Sequence, residues 1–340
     1  MQPELIRLRS RVVTLIRTFF DERGFLEIHT PRLVGLPGQE PHLDPMWTCV
    51  SDVKSFSAAL ITSPEYAMKK MLAAGFDKIY DLGPCFRDHE PWDGSHDPEF
   101  LMLEWYRRDA GLEELMRDSE EMIRHVFAHV PLLTKERLGE VPSDSSFRRL
   151  TVRDVMQQYA HVDLDSLLEN REALANVVRE HHQTVTDTDT WDDLFFKIFL
   201  TEVELHLGWS EDHTSWLPTF LYQYPACMAA LARRDSSDSR YALRTELYIG
   251  DLELANGFAE LCDPVEQRKR FKEEQALRRA LGKKIWPIDE TFIAALPKMG
   301  NAAGIAFGVD RLAMLIAGTH SISDLMPIPV QERFAPETSV

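Results

Sequence analysis

Apolar side chains recur at Leu5, Leu8, Val12, Leu15, Ile16 and Phe19, three and four residues apart. That period predicts an amphipathic helix over residues 4–23, with Gly24 where a helix C-cap belongs. FLEIHT (25–30) alternates and predicts a strand, which Pro31 ends. SPEYAMKKMLAAG (63–75) predicts a second helix, with Ser63 as N-cap, Pro64 at the first position and Gly75 at the end. KIYDLGPCFRDHE (78–90) reads as a strand running into a polar loop. EFLMLEWYRR (99–108) reads as the returning strand, so the two make a long hairpin. Residues 111–130 read as a helix.

The stretch 131–215 is more polar, with helical pieces around 151–160, 164–181 and 191–207. TVTDTDT (184–190) between them reads as a loop or strand edge. This stretch is expected to be a helical insertion packed on the main sheet. PTFLYQYP (218–225) and ELYIGDLELANGF (246–258) return to strand character. A charged helix follows at PVEQRKRFKEEQALRRALG, and GIAFGVDRLAMLIAG predicts a strand entering an apolar helix. Strands and helices in this order, joined largely by hairpins, predict an α+β domain on an antiparallel sheet.

With 340 residues, 44% of them hydrophobic, the chain can bury a large core. Its formal charge of −17 makes it a poor general binder of polyanions, although a local basic patch fits inside such a total. Cys49, Cys85, Cys227 and Cys262 form no CxxC pair and read as reduced thiols rather than a disulfide framework or zinc site. The N-terminus has no apolar signal-peptide core, and no apolar run approaches the ~18 residues of a membrane helix. A soluble, cytoplasmic protein is the expectation.

ELANGFAE (253–260) places Glu253 and Glu260 in an otherwise apolar run. Buried carboxylates are costly unless they face cations or metals. Arg87 closes a strand in FRDHE, Arg311 opens a helix in GVDRL, and Glu246 stands seven residues before Glu253. A nucleoside triphosphate site needs cations for phosphates, carboxylates for Mg²⁺ and an aromatic face for the base. The chain offers all three, but each residue alone reads more simply as surface or core.

The combination is more specific. The helix–strand–Pro order at 4–31, the FRxxE…HDPEF pattern at 86–100 and GxxxGxDR at 304–311 resemble motifs 1, 2 and 3 of class II aminoacyl-tRNA synthetases. LEWYRR and ELANGFAELCDP narrow the resemblance to the lysyl branch. It runs over nearly the whole chain and is weakest in 131–215. It implies an antiparallel sheet of six to seven strands flanked by helices, and a homodimer formed through motif 1. It also implies that the substrate carboxylate attacks the α-phosphate of ATP, giving an acyl-adenylate, with Mg²⁺ as cofactor.

The resemblance assigns roles residue by residue. Arg87 would hold the substrate carboxylate and the α-phosphate, and Arg311 the γ-phosphate. Phe100 would stack on adenine. Asp88, His89, Glu90, His96, Asp97, Leu254 and Gly308 complete the nucleotide site. Glu246 and Glu253 would bind metal. Asn256 would touch the substrate carboxylate. Ser63, Pro64 and Glu65 would sit at the nearer amine, and Glu104, Tyr106 and Glu260 around the distal ammonium, with Ala306 in the pocket wall. Glu253 would then face Mg²⁺ and Glu260 an ammonium, the Asn-Gly pair letting the backbone bring both into one pocket.

Motif 1 starts near residue 4, so no anticodon-reading OB domain, which needs roughly 100 residues, is expected ahead of it. The chain therefore resembles the stand-alone lysyl-tRNA synthetase paralogues that attach a lysine-type residue, (R)-β-lysine or lysine, to a lysine of elongation factor P, with no stable tRNA binding. Ala306 in place of the synthetases' Gly agrees with that branch. The chain departs from the pattern at His89, where Glu is usual, with Glu90 one residue later and the loop to His96 one residue longer. Asp97 replaces Asn, adding a negative charge near ATP unless Mg²⁺ or an arginine compensates. Ala259 replaces His or Ser. Two other readings stand beside this one: a lysine-activating ligase with another acceptor, such as a carrier protein or tRNA-like RNA, and a catalytically silent regulator.

Overall fold

A computed structural model of the chain describes residues 2–130 and 147–334. The chain divides into two compact units, Met1–Leu138 with Cys262–Val340, and Gly139–Leu261. The start of the expected insertion, 131–146, lies outside the described residues.

In the first unit, the opening helix is Pro3–Glu22, and it buries Leu5, Leu8, Val12, Leu15, Ile16, Phe19 and Phe20. Gly24 follows with φ +73, a conformation that costs glycine little. The strand expected over 25–30 is only Leu26–Glu27, paired in parallel with Ile79 and Tyr80. The hairpin forms as expected. Lys78–Phe86 runs antiparallel to Glu99–Arg108, with Asp81 opposite Glu104 and Cys85 opposite Phe100. Ala302–Gly308 lines the other side of Glu99–Arg108, setting Ala306 opposite Glu104. Phe20 packs between Tyr80 and Trp105, with ring centroids 5.0 and 5.2 Å away. Helices Leu112–His129, Pro264–Ala280 and Val309–Ala317 match the apolar periods.

Two features of this unit escaped the sequence pattern. One is a small sheet of Leu33–Val34, Ser55–Leu60 and Trp47–Ser51. The other is the helix Glu290–Met299.

In the second unit, Thr219–Pro225 pairs antiparallel with Tyr241–Ile249, which pairs antiparallel with Leu252–Ala259. The run 246–258, expected as strand throughout, is thus two strands turning at Gly250, where φ is +59. The stretch expected as a helical insertion also supplies a strand. Arg148–Thr151 pairs in parallel with Thr219–Tyr222. Helices Val152–Tyr159, Arg171–Glu180 and Trp191–Ile198 begin on caps from Thr151, Asn170 and Thr190. Their apolar faces bury Val155, Leu174, Val178, Phe195 and Ile198 against Leu221, Tyr224 and Tyr248 of the strands.

The α+β class and the largely antiparallel pairing are as expected; among the described residues each unit has four main strands, with the small sheet added in the first and the short pair Gly208–Trp209 and Trp216–Leu217 in the second. No described helix is long and apolar enough to cross a membrane. None of the four cysteines is in a disulfide.

Candidate active site

In the first unit the hairpin and the Glu65–Ala73 helix bring Ser63, Pro64, Glu65, Glu104 and Tyr106 together. Ser63 is not the N-cap. That position is Pro64, and the Ser63 hydroxyl oxygen accepts the Glu65 N–H at 3.1 Å. The same hydroxyl donates to Glu104 Oε1 at 2.5 Å, while the Tyr106 hydroxyl donates to Oε2 at 2.8 Å. Glu104 is 1% exposed. Burial, followed by the neighbouring Glu65, pushes its carboxyl up to about 8. Glu65 itself receives the ammonium of Lys69, which is wholly buried one helical turn later. Glu40, which the sequence reading passed over, is pushed up to about 7 by burial and then by Glu65. The arrangement is a desolvated acid cluster suited to an alkylammonium ligand. Ala306 packs with Ile61, Cys85, Met102 and Phe100 beside it.

Arg87 leaves the first strand of the hairpin and pairs its backbone N–H with Pro98 O at 3.1 Å. Its guanidinium lies 5.0 Å from the Phe100 ring centroid. Its Nε is buried with no hydrogen-bond partner. An orphaned charged donor beside an aromatic face fits an anion that carries a planar base. Asp88 N–H donates to Asp44 O at 2.7 Å, leaving its side chain exposed. His89 is exposed and sits at φ +61, a strained region for a residue with a Cβ. Glu90 is half-buried, 3.8 Å from His96 Nε2.

Arg311 Nη2 lies 3.2 Å from His96 Nε2, and His96 Nδ1 lies 3.0 Å from Asp93. A guanidinium can only donate, so Nε2 is the acceptor in this contact and Nδ1 is the nitrogen turned to Asp93. Gly308 precedes the helix bearing Arg311. The adjacent Asp310 is buried and accepts from Arg9 at 2.6 Å and from Leu101 N–H at 2.7 Å. Arg311 is therefore held by both the opening helix and the hairpin. Asp97 is buried, and Arg333 donates to both its oxygens. That arginine supplies the compensation an acid at this position needs.

In the second unit Glu246 lies opposite Asn256, and Tyr248 opposite Glu253. Glu246 is 5% exposed. Its Oε1 accepts from Arg244 at 2.5 Å, and its Oε2 from the hydroxyls of Tyr248, at 2.7 Å, and Tyr224. Burial, then Glu246, raises both tyrosines well above their usual range, so they stay protonated donors. Oε2 is saturated and Oε1 keeps one lone pair. Glu253 is half-buried. Arg244 Nε also donates to Asn256 Oδ1 at 3.2 Å, which assigns the other end of the Asn256 amide as the N–H donor. Leu254 and Glu260 are buried.

Asn256 and Gly257 lie inside the extended strand and make no turn. Glu253 and Glu260 are therefore separated by roughly 23 Å of strand, so the Asn-Gly pair does not fold them into one pocket. Among the described residues no three His, Cys, Asp or Glu side chains gather as a metal cage. Two carboxylates still fit Mg²⁺, which keeps several waters and takes phosphate oxygens as ligands.

Sequence reasoning missed Glu40, Lys69, Arg244 and Arg333. Lys69 was legible as the i+4 partner of Glu65, and Arg244 as the same-face neighbour of Glu246 two residues earlier on a strand.

The family model for class II tRNA synthetases (D, K and N) matches residues 2–332. The chain is 37% identical over 328 residues to the elongation factor P–(R)-β-lysine ligase of Proteus mirabilis (strain HI4320), covering 95% of this chain and 94% of that protein. It is 36% identical over 340 residues to the protein of the same name from Photorhabdus laumondii, with the same two coverages. The counterpart from Hamiltonella defensa is 35% identical over 329 residues, again covering 95% and 94%.

Proposed function

We propose, from the premise that this chain belongs to the class II tRNA synthetase family of the D, K and N type, that it is an ATP-dependent ligase for elongation factor P. It activates (R)-β-lysine, or lysine, as an acyl-adenylate and passes it to a lysine side chain of that protein, the activity named for its relatives. The observation that carries this reading is Glu104, buried between the hydroxyls of Ser63 and Tyr106 and next to Glu65.

An alkylammonium arriving there exchanges its water for anionic oxygens. An analogue without that amine leaves a desolvated acid unpaired, so discrimination is large. Arg87, with its orphaned Nε, binds the substrate carboxylate and the α-phosphate. Phe100 offers its ring to adenine. Arg311, oriented by His96 and by the anchored Asp310, takes the γ-phosphate. The family resemblance gives Asn256, in the second unit, the role of donor to a carboxylate, through the amide N–H groups that its contact with Arg244 does not use. A Mg²⁺ entering with ATP supplies neutralisation of the leaving phosphates, and Glu253 would hold it, with the remaining lone pair of Glu246.

The substrate carboxylate oxygen attacks the α-phosphorus, and the bond to pyrophosphate breaks. The amine of the acceptor lysine then attacks the acyl carbon, AMP leaves, and the new amide nitrogen loses a proton. No protein nucleophile is needed. Rate comes from positioning and from fixed charge at the in-line displacement. ATP and elongation factor P place the reaction in the cytoplasm. A homodimer through the opening helix and its neighbouring strands completes the reading. Exposed Leu33, Val50 and Phe56 of the small sheet are apolar surface such a dimer would cover.

ATP–pyrophosphate exchange with (R)-β-lysine, α-lysine and amine-free analogues tests the first half-reaction. Exchange strongest with (R)-β-lysine, followed by a mass increase on elongation factor P, is the expected result. Adenylate formation without that transfer points to another acceptor. No exchange with any amino acid overturns the enzyme reading.

A further inference from the structure

The loop joining the hairpin strands ends at Asp97, which is 2% exposed. A carboxylate this deep requires a cation or several donors. It has both. Arg333, in the short C-terminal helix Val330–Arg333, donates Nη2 to both oxygens and holds Nη1 3.5 Å from Glu99. The Glu99 N–H donates to Asp97 Oδ1 at 3.0 Å.

This short stretch of backbone is the one that positions the nucleotide residues. Pro98, next to Asp97, gives its carbonyl to the Arg87 N–H, and Phe100, three residues on, lies under the Arg87 guanidinium. Two more contacts tie the C-terminal segment along the same loop. Ile322 N–H donates to Gly94 O at 2.7 Å, and the rings of Trp92 and Phe334 stack at 5.9 Å. The loop is thus clamped at its tip, its middle and its exit by one later piece of chain.

We propose that Arg333 is a positioning residue of the ATP site: through Asp97 it fixes the Pro98–Phe100 backbone that sets Arg87 and Phe100. The inference rests on the ATP-site reading above. With Arg333 gone, Asp97 becomes an uncompensated buried charge. It must protonate or swing toward water, and either response loosens the Glu99 N–H and shifts the pair that grips the nucleotide. With Asp97 also made neutral, the fault disappears, because an amide oxygen still accepts the Glu99 N–H.

The test compares wild type, Arg333→Met, Arg333→Lys, Asp97→Asn and the double variant Asp97→Asn/Arg333→Met. Each is measured for KM of ATP, KM of the amine substrate and kcat in pyrophosphate exchange, for ATP affinity by calorimetry without amine, and for Tm. Expected is a rise of ~10-fold or more in KM and Kd for ATP in Arg333→Met, with the amine KM within about twofold of wild type. The double variant should recover most of that loss and Arg333→Lys part of it. An equal rise in both KM values overturns the proposal, as does a lowered Tm with unchanged ATP affinity, or a double variant no better than the single. If Arg333→Met does not fold, the Arg333→Lys and double variants decide by the same split. Wild type that binds ATP without exchanging pyrophosphate refutes the ligase reading, and the calorimetric comparison then still decides the role of Arg333. Wild type that does not bind ATP refutes both.

Discussion

Ser63 and Glu104 meet at 2.5 Å, hydroxyl to carboxyl, with 1% of the acid's surface exposed. Burial outweighs that contact, which by itself favours the anion, and makes Glu104 a proton store. Glu104 is raised from 4.5 to about 8, chiefly by burial. The neutral acid therefore contributes stability that is fully present below about pH 4.5 and is lost as pH rises through about 8. The ligand-free protein should lose stability over that window. Glu104→Gln should reduce the loss, leaving the parts due to Glu40, raised to about 7, and to Glu274 and Asp118, whose carboxyls burial also raises. Urea midpoints at pH 5, 7 and 8.5 check this.

Binding reverses the bias. An ammonium beside Glu104 favours the anion, so at pH 7 the substrate should release up to about one proton per site. Calorimetry in two buffers of different ionisation enthalpy measures it. Binding should tighten as pH rises toward 8. An uptake of protons at pH 7 would contradict the assignment.

Arg87→Ala should lower kcat/KM of adenylate formation by about 10²–10³-fold, the usual cost of removing a donor aimed at developing charge. Arg87→Lys should restore little, since an ammonium cannot span a carboxylate and a phosphate as a guanidinium can. Tm should change little, because the Arg87 Nε has no internal hydrogen bond to lose.

The two expected metal carboxylates should separate experimentally. Glu246 is committed to Arg244, Tyr224 and Tyr248, so Arg244→Met should destabilise the fold by about 3–5 kcal/mol by leaving a buried charge unpaired. Glu253→Gln should instead raise the Mg²⁺ concentration for half-maximal exchange by about tenfold or more, with a smaller rise in Glu246→Gln. A Mg²⁺ titration of the exchange rate, set beside a urea melt, distinguishes the roles.

Gly83 faces Arg32, which pairs with wholly buried Asp81. A Cβ at Gly83 would come within 2.0 Å of Arg32 Nη2. Gly83→Ala should push the guanidinium off Asp81 and cost on the order of 1–3 kcal/mol. Because the charge of Asp81 contributes to raising Glu104, the same variant should also shift the pH profile of amine binding. A variant as stable as wild type would show that Arg32 has another route to Asp81.

What was legible in the sequence followed short-range repetition. The opening helix shows its buried face at every turn, and the hairpin declares itself as two apolar runs about a polar loop. The meeting of Ser63, Glu65, Glu104 and Tyr106 was legible because SPE and LEWYRR carry these residues side by side. Contacts that reach far along the chain left no period to read. Arg278 is fully buried, yet it serves the carbonyls of Glu40, Pro41 and Leu43 and the carboxylate of Asp44. Arg333 reaches Asp97 in the same way. The strands of the small sheet expose most of their side chains, so no hydrophobic alternation marks them. The Asn-Gly pair misled because it commonly makes hairpin turns. Here Thr245 pairs with Gly257 across the ladder, and the turn falls at Gly250.

The division of the chain also sets an order of events during synthesis. Gly139–Leu261 is one continuous segment, complete as soon as it leaves the ribosome. The other unit is not. Strand Glu99–Arg108 gains its neighbour Ala302–Gly308 only about 200 residues later. At the ribosome's ~5–20 residues per second, that leaves one edge of the nascent hairpin open for ten seconds or more. Trp105 and Leu103, wholly buried in the finished protein, are on that strand. Chaperone demand should therefore concentrate in that interval, and a ribosome stall placed between residues 262 and 300 should be where the nascent chain is most prone to aggregate.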